Sequence, residues 1–285
     1  MFGIPNMKLP KELVRRRVDI FRQEGIEFVC NTDVGKDMSV SELKRFDAVV
    51  LCGGAGQPRD LFISGRNLPG VQLAVPFLAD ATRRVLAGNV GDKPMAGRKV
   101  VVIGGGDTGN DCVATSIRMG AESVTQLEIM PPAPESRAED NPWPRWPFTL
   151  KTDYGQQEAI WLYGRDPRTF EITAVSILGD EENGVTGIET AQVVWEATER
   201  GRAPKQIEST RTKIDATDVL IAMGFVGAET YLPEAMGLTM DRSTYLTTRA
   251  GVFAAGDMRT GQSLVVRASA DAEHAAEEVE RYLLG

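Results

Sequence analysis

The stretch VVVIGGGDTGNDC, residues 100–112, restricts the fold of this chain more than any other. Four apolar residues predict a buried β-strand. Gly104, Gly106 and Gly109 follow it with the G-x-G-x-x-G spacing of a turn that leads into a helix. In such a turn the first glycine permits the bend, the second lets a pyrophosphate approach the backbone, and the third lets the helix pack on the strand. The predicted nucleotide-binding residues of this turn are Gly104, Gly106, Asp107, Thr108 and Gly109.

The segments around the turn decide whether it binds a nucleotide or only shapes the backbone. A strand over 99–103, a helix over 110–119 and a second strand over 123–129 form one βαβ unit of about thirty residues. The alternative is an ordinary strand–helix turn whose glycines serve geometry alone. We favour the dinucleotide site, because the start of a helix carries partial positive charge that suits phosphate groups.

The residue near the end of the second strand distinguishes NAD from NADP. Glu128 follows Gly104 by 24 residues, a position where a carboxylate accepts hydrogen bonds from the ribose 2′-hydroxyl and repels a 2′-phosphate. This favours NADH. Arg137 and Arg145 in the next loop leave NADPH open, because either could bind a 2′-phosphate; the alternative for both is a solvated loop charge.

Three further strands surround the βαβ unit and end in small residues: DAVVLCGGA (47–55), ATDVLIAMG (216–224) and GVFAAGD (251–257). We therefore predict an α/β chain in which a nucleotide domain is inserted into a second, discontinuous domain. The predicted boundaries are 1–75 and 216–285 for the outer domain and 76–215 for the inserted one.

Other segments have simpler patterns. We predict a helix over 10–22, a short strand over 26–30, loop over 56–75, and a helix over 76–86. The segment 131–149 contains six prolines and predicts an ordered loop, and an antiparallel hairpin follows from 170.

A second candidate site lies near the C-terminus. Asp257 ends an apolar strand, where its carboxylate can bind a polyol such as the ribityl chain of a flavin; the alternative is capping of the next helix. Gly261, Gln262 and Ser263 open that helix, and Ser263 is the predicted N-cap. The helix dipole could stabilise negative charge on a reduced flavin.

Composition excludes several function classes. The single histidine, His274, is predicted on the solvated face of the last helix, so no catalytic side chain and no metal site is expected. The cysteines Cys30, Cys52 and Cys112 form no C-x-x-C pair and are predicted to be buried, reduced thiols of a cytoplasmic protein. A net charge of −8 and the absence of long apolar runs argue against nucleic-acid and membrane partners.

Four motifs resemble a known family: RAEDNPWPRWP (137–147), YGRDPR (163–168), DVLIAMGFVG (218–227) and GVFAAGDMRTGQSLVV (251–266). They are similar to the small, β-type subunit of glutamate synthase, most closely to the form fused within NADH-dependent glutamate synthases. The resemblance covers nearly the whole chain.

The resemblance implies a glutathione-reductase-like fold with two dinucleotide-binding domains, an NAD(P)-binding Rossmann domain inserted in an FAD domain. In that family the subunit oxidises NAD(P)H at FAD and passes electrons through iron–sulfur clusters to a large subunit, which makes glutamate from 2-oxoglutarate and glutamine. By position, the resemblance places Asp257 at the ribityl chain and the glycine turn with Glu128 at the nicotinamide dinucleotide. The full set of expected flavin-side residues is Gly54, Ala55, Gly256, Asp257, Gly261, Gln262 and Ser263.

This sequence departs from the family at its start. The cluster-binding cysteine region and the FAD glycine motif of the family precede the segment that matches Met1, so the chain corresponds to the C-terminal part of a β subunit with an N-terminally incomplete FAD domain. Whether FAD binds without this motif stays open, with weak or absent binding as an alternative, and iron–sulfur clusters are expected only through the absent region. Two alternatives stay open: a non-catalytic remnant that binds NAD(H) or a partner subunit, and a dehydrogenase acting on a small substrate.

Overall fold

The computed structural model describes residues 2–199 and 201–285. The strands in chain order are β1 (Val49–Leu51), β2 (Gln57–Pro58), β3 (Val71–Leu73), β4 (Lys99–Ile103), β5 (Ser123–Leu127), β6 (Arg168–Thr169), β7 (Ile172–Asp180), β8 (Gly184–Thr198), β9 (Gly201–Gln206), β10 (Thr212–Asp215), β11 (Asp218–Ile221), β12 (Phe225–Gly227) and β13 (Val252–Ala254). The α-helices are α1 (Lys11–Gln23), α2 (Ala74–Leu86), α3 (Asp107–Arg118), α4 (Tyr154–Tyr163), α5 (Tyr231–Met236), α6 (Asp257–Thr260) and α7 (Val265–Leu284). Short 3₁₀ helices cover Val40–Arg45 and Glu208–Thr210.

The chain divides into two compact units. Unit 1 comprises Met1–Arg17 and Asp60–Met223, and unit 2 comprises Val18–Arg59 and Gly224–Gly285. The sequence predicted changes of domain at 75/76 and 215/216 instead. The difference arises because β3 and β11 both pair within the central sheet of unit 1, β11 lying between β3 and β4.

Unit 1 is built on a parallel sheet of five strands in the order β3-β11-β4-β5-β6. Side chains alternate across β4: Val100 and Val102 pack with α2 and α3, whereas Val101 and Ile103 pack against apolar residues of β7 and β8. A parallel strand covered on both faces needs apolar residues at every position, which is why residues 100–103 form an unbroken apolar run.

The sheet that covers the second face of unit 1 is antiparallel. Strand β8 lies between β7 and β10, and its C-terminal part also pairs with β9. The predicted hairpin from residue 170 is confirmed, and 131–149 contains no regular element, as predicted. The helix α4 was not predicted, and β3 falls inside the stretch predicted as loop.

Unit 2 has a smaller sheet. Strands β1 and β13 pair in parallel, with Leu51 opposite Ala254, and β2 pairs with β12 in an antiparallel ribbon. Apolar residues of β1, β13, α5 and α6 form the core of this unit. The predicted strand over 26–30 is wrong, because these residues lie in irregular, exposed chain.

The helix α7 buries little of its predicted apolar face. Ala275 is its buried residue, whereas Leu264, Ala272 and Leu283 are exposed. His274 is exposed, as predicted. None of the helices in the described residues combines the length and apolarity that crossing a membrane requires.

The cysteine prediction holds for one thiol of three. Cys112 on α3 is fully buried, and this burial raises the pKa of its thiol. Cys30 and Cys52 are exposed, so the prediction of buried thiols is wrong for both. Cys30 lies in the irregular stretch predicted as a strand, and Cys52 lies one residue beyond β1.

Candidate functional site

The glycine turn of unit 1 requires glycine at two positions for steric reasons. Gly104, directly after β4, has φ of +125°, and a Cβ there would be 2.2 Å from the carbonyl oxygen of Ala222. A Cβ on Gly109 would be 2.1 Å from the carbonyl oxygen of Gly104, so α3 packs directly on the turn. Gly106 is the N-cap of α3 and faces open space, which leaves its backbone accessible to a ligand. Asp107 and Thr108 form the first turn of α3.

Glu128 lies against this turn. A Cβ on Gly105 would be 1.8 Å from the Glu128 carboxylate, and the same carboxylate accepts a hydrogen bond of 2.8 Å from the backbone N–H of Met130. The acidic residue that the sequence predicts for ribose recognition is therefore beside the predicted pyrophosphate turn.

The guanidinium groups of Arg137 and Arg145 bind within their own loop. Arg137 donates to the carbonyl oxygens of Asn141 (2.8 Å) and Arg145 (2.9 Å), and Arg145 donates to that of Asp140 (3.2 Å). These bonds organise the proline-rich loop. They favour the structural interpretation of both arginines over a role as 2′-phosphate ligands.

A pocket of about 600 Å³ lies beside the glycine turn. Its lining consists of Gly105, Gly106, Asp107, Asn110, Lys151, Thr152, Asp153, Gln156 and Arg168. Two of these nine, Gly106 and Asp107, are site residues predicted from the sequence, and the other seven are not. A signal for part of the set exists in the sequence: Asp153 and Gln156 have capping-box spacing, and Gly164 ends the helix that follows.

Arg168 holds one wall of the pocket in place. Its side chain is only 6% exposed and pairs with both carboxylate oxygens of Asp166. It also donates to the carbonyl oxygen of Lys151 (2.7 Å) and to the hydroxyl of Thr152 (3.2 Å). Burial favours a higher pKa for Asp166, but the hydrogen bonds from Arg168 outweigh it and hold that pKa below its usual range. The wall is therefore a rigid surface.

A chain of buried amides joins the glycine turn to α4. Gln126 donates to the carbonyl oxygen of Gly104 (2.9 Å), and Gln156 donates to the side-chain oxygen of Gln126 (3.1 Å). The backbone N–H of Gln156 donates to Oδ1 of Asn110 (3.1 Å). The Nδ2 group of Asn110 is buried and has no hydrogen-bond partner among the described residues. Such a donor is costly to bury unless a ligand accepts from it.

The predicted flavin-side residues come together in unit 2. Because Leu51 is opposite Ala254 in a parallel pair, the segments with Gly54 and Asp257 leave the sheet at the same edge. The Asp257 carboxylate accepts a hydrogen bond of 2.7 Å from the Ser263 hydroxyl. Ala55 and Gly256 flank these positions, and Gly261 and Gln262 precede Ser263.

One detail of the flavin-side prediction is wrong. The helix α7 begins at Val265, and its N-cap is Leu264, which makes no side-chain capping bond. Ser263 lies one residue too early to cap the helix, and its hydroxyl binds Asp257 instead.

Asp271 of α7 stabilises the start of α6, where Asp257 lies. Its carboxylate accepts from the backbone N–H of Gly256 (2.7 Å) and forms a largely buried ion pair with Arg259. The hydrogen bond from Arg259 is the main reason that the pKa of Asp271 lies below its usual range. The guanidinium of Arg259 also lies 4.2 Å from the ring centroid of Tyr245.

Comparison with known proteins identifies the family. Residues 11–141 match the pyridine nucleotide-disulphide oxidoreductase family. The chain is 42% identical to the glutamate synthase [NADPH] small chain of Bacillus subtilis and 41% identical to the glutamate synthase [NADH] of Saccharomyces cerevisiae, over its full length in each case. It is 35% identical to a putative glutamate synthase [NADPH] small chain of Cereibacter sphaeroides, and covers 67% of that protein.

The chain belongs to the glutamate synthase small-chain family. The resemblance seen in the sequence is confirmed over its whole length. The chain spans 60% of the Bacillus small chain and 14% of the Saccharomyces protein.

Solved structures confirm the predicted fold. FprA from Mycobacterium tuberculosis, as its His57Gln mutant, superposes with a TM-score of 0.70 at 19% identity, over 98% of this chain and 74% of FprA. The complex of FprA with NADPH gives a TM-score of 0.69 at 18% identity, over 98% and 73%. A small chain of this family thus has the α/β fold of the pyridine nucleotide-disulphide oxidoreductases.

Proposed function

We propose that this chain is the electron-entry part of a glutamate synthase, which oxidises NADH in unit 1 and contributes unit 2 to an FAD site. The observation that carries the proposal is family membership over the full chain together with a sterically required glycine turn. The proposed partner is the glutamate synthase large subunit, which makes glutamate from 2-oxoglutarate and glutamine. We assign the iron–sulfur clusters of the electron path to residues outside these 285. We also propose that the protein is cytoplasmic, in keeping with its three unpaired cysteines.

In unit 1 the proposed ligand is the nicotinamide dinucleotide. The backbone at Gly106 and the N-terminus of α3 receive the pyrophosphate, while Gly104 and Gly109 shape the turn. Glu128 accepts hydrogen bonds from the adenosine ribose.

In unit 2 the residues fit the flavin half of FAD. Gly54 faces open space, so a planar ring can approach its backbone, and Asp257 offers a carboxylate to the ribityl hydroxyls at the same sheet edge. FAD bound there supplies the capacity to accept a hydride from NADH. The glycine motif for the FAD pyrophosphate is not among these 285 residues, so this chain contributes only part of the site.

No side chain is assigned as a catalytic acid or base. Hydride transfer between two rings requires positioning rather than proton transfer, and the single histidine is exposed on α7. The proposed work of the chain is therefore to bind, orient and exclude water.

We propose NADH rather than NADPH as the electron donor because of Glu128. The names of the relatives do not decide between them, since both cofactors occur at about equal identity. Replacing Glu128 with alanine should weaken NADH binding about tenfold, and it should not weaken NADPH binding, because the charge that repels the 2′-phosphate is removed. Equal loss for both nucleotides would contradict the specificity proposal.

The proposed reaction is tested with purified protein reconstituted with FAD. The expected result is a yellow flavin spectrum that bleaches on addition of NADH under anaerobic conditions. A preparation that binds NADH but takes up no flavin would overturn the FAD part of the proposal. Co-purification with a large subunit is the direct test of the partner.

A further inference from the structure

The pocket beside the glycine turn has a second side that the dinucleotide motif does not account for. Opposite Gly105 and Gly106, the wall is formed by Lys151, Thr152 and Asp153, immediately before α4. Arg168 binds this wall through the carbonyl oxygen of Lys151 and the hydroxyl of Thr152.

Lys151 is the uncommitted cation of this pocket. It is exposed, it forms no ion pair among the described residues, and its Nζ lies 4.2 Å from the ring centroid of Trp146. Arg168, the other cation in the lining, is occupied by Asp166. An aromatic ring beneath an ammonium group restricts its position without occupying its hydrogen-bond donors.

The carboxylates in the lining do not neutralise Lys151. Asp153 accepts from the backbone N–H of Tyr154 at 2.7 Å as the cap of α4, and Asp107 is exposed in the first turn of α3. A buried donor without a partner, Nδ2 of Asn110, belongs to the same lining. A free ammonium, an unpaired amide donor and the N-terminus of α3 around one pocket are typical of a phosphate site.

We propose that Lys151 binds the pyrophosphate of the dinucleotide, with Nδ2 of Asn110 as a second donor, from the side opposite the glycine turn. This inference rests on the proposed function. Lys151 shares the pocket with Gly105 and Gly106, whereas Glu128 is not part of its lining. Lys151 is thus a ligand of the phosphates common to NADH and NADPH, and Glu128 alone discriminates between them.

The test compares binding of NADH, NADPH and ADP-ribose to the wild type and to Lys151→Gln by calorimetry. Loss of one charge-assisted contact should weaken all three ligands about tenfold and by the same factor, and Lys151→Arg should restore most of the affinity. Lys205→Gln is the matched control, because it removes a surface charge of β9 that is paired with Glu196 and should change nothing.

A second variant tests the amide donor. Asn110→Asp keeps the oxygen that accepts from the Gln156 N–H but places a negative oxygen where the donor was. It should weaken ADP-ribose binding more than Lys151→Gln does, and circular dichroism establishes that the variant is folded.

The outcomes separate this inference from the proposed function. Loss confined to NADPH would make Lys151 a 2′-phosphate ligand. Loss for NADH and NADPH with ADP-ribose binding unchanged would place it at the nicotinamide, and unchanged affinity for all three would remove it from the site. Each result overturns the inference while unit 1 still binds dinucleotide. If the wild type binds none of the three ligands, the proposed function fails, and the inference fails with it.

Discussion

Units 1 and 2 both contain parallel strands that end in small residues, yet they bury those strands to very different extents. All four apolar residues of β4 are buried between helices and the antiparallel sheet. In unit 2, Val50 at the centre of β1 is 40% exposed, and Val265 at the start of α7 is 73% exposed. The central sheet of unit 1 is covered on both faces, whereas the strand β1 and the helix α7 of unit 2 leave apolar surface open.

The difference shows that the same strand pattern does not fix stability. A sheet of five strands covered on both faces provides a large apolar core, whereas two strands and a partly buried helix provide little. We therefore expect unit 1 to unfold at higher denaturant concentration than unit 2. All four tryptophans, Trp143, Trp146, Trp161 and Trp195, belong to unit 1, so tryptophan fluorescence reports on that unit alone. Hydrogen exchange of peptides from α7 and β13 reports on unit 2.

The largest effect is expected at the glycine turn. Gly104→Ala introduces a Cβ 2.2 Å from the Ala222 carbonyl at a positive φ, which should destabilise unit 1 by about 4 kcal/mol and abolish nucleotide binding. Gly106→Ala is the matched control, because its Cβ meets open space: it should cost about 0.5 kcal/mol and still lose nucleotide affinity. Denaturation followed by tryptophan fluorescence measures the change in the free energy of unfolding. Equal stability of both variants would contradict the steric argument.

A pair of truncations tests the burial contrast directly. Leu78→Ala on α2 leaves a cavity in the core of unit 1 and should cost about 3 kcal/mol. Val265→Ala on α7 removes exposed atoms and should cost no more than about 0.5 kcal/mol. Tryptophan fluorescence measures the effect of Leu78→Ala on unit 1, and hydrogen exchange measures the effect of Val265→Ala on unit 2. A large cost for Val265→Ala would show that its surface is covered in solution.

The next largest effect is expected when the ion pair of Asp271 and Arg259 in unit 2 is removed. Asp271→Asn leaves the largely buried Arg259 without a charged partner and should cost about 2 kcal/mol at neutral pH. The pKa of Asp271 is lowered by folding, so the stabilisation is fully present above the unfolded-state pKa of about 4 and is lost as pH falls through the lower folded-state pKa. Hydrogen exchange of α7 across this pH range measures the loss of stabilisation. A difference between wild type and variant that does not shrink as the pH falls below about 4 would exclude this electrostatic origin.

The smallest effect concerns two tyrosines that each bind a carboxylate. Tyr154 donates to Asp111 at 2.7 Å in a half-buried site, and burial, with Asp111, raises the pKa of its phenol. Tyr154→Phe should cost unit 1 about 1 kcal/mol. Tyr231→Phe removes the bond to Asp33 at the surface of unit 2 and should leave the free energy of unfolding unchanged. Equal costs would mean that burial does not control these hydrogen bonds.

Much of unit 1 is predictable from the sequence, for a local reason. The strand over 99–103, the glycine turn and Glu128 are consecutive or nearly so, and a buried parallel strand must be apolar throughout. The capping box of Asp153 and Gln156 is a local signal of the same kind, and it indicates the start of α4 just after Lys151.

The features that the sequence did not predict correctly depend on contacts between residues far apart in the chain. Apolar residues at 26–30 and along α7 carry the pattern of buried elements, but a pattern specifies only which face is apolar and not whether a partner covers it. The division into two compact units depends on contacts of the same kind: β11 pairs with β4 across more than a hundred residues, and no local signal records that pairing.

The sequence by itself determined the glycine turn, the acidic residue beside it and the family, because each is a short motif with a direct chemical requirement. The tertiary structure decided that Lys151 and Asn110 share a pocket with that turn, that Ser263 binds Asp257 rather than capping α7, and that Arg137 and Arg145 bind their own loop. The physical reason is that hydrogen bonds and ion pairs depend on distances in space, which chain spacing fixes only over a few residues.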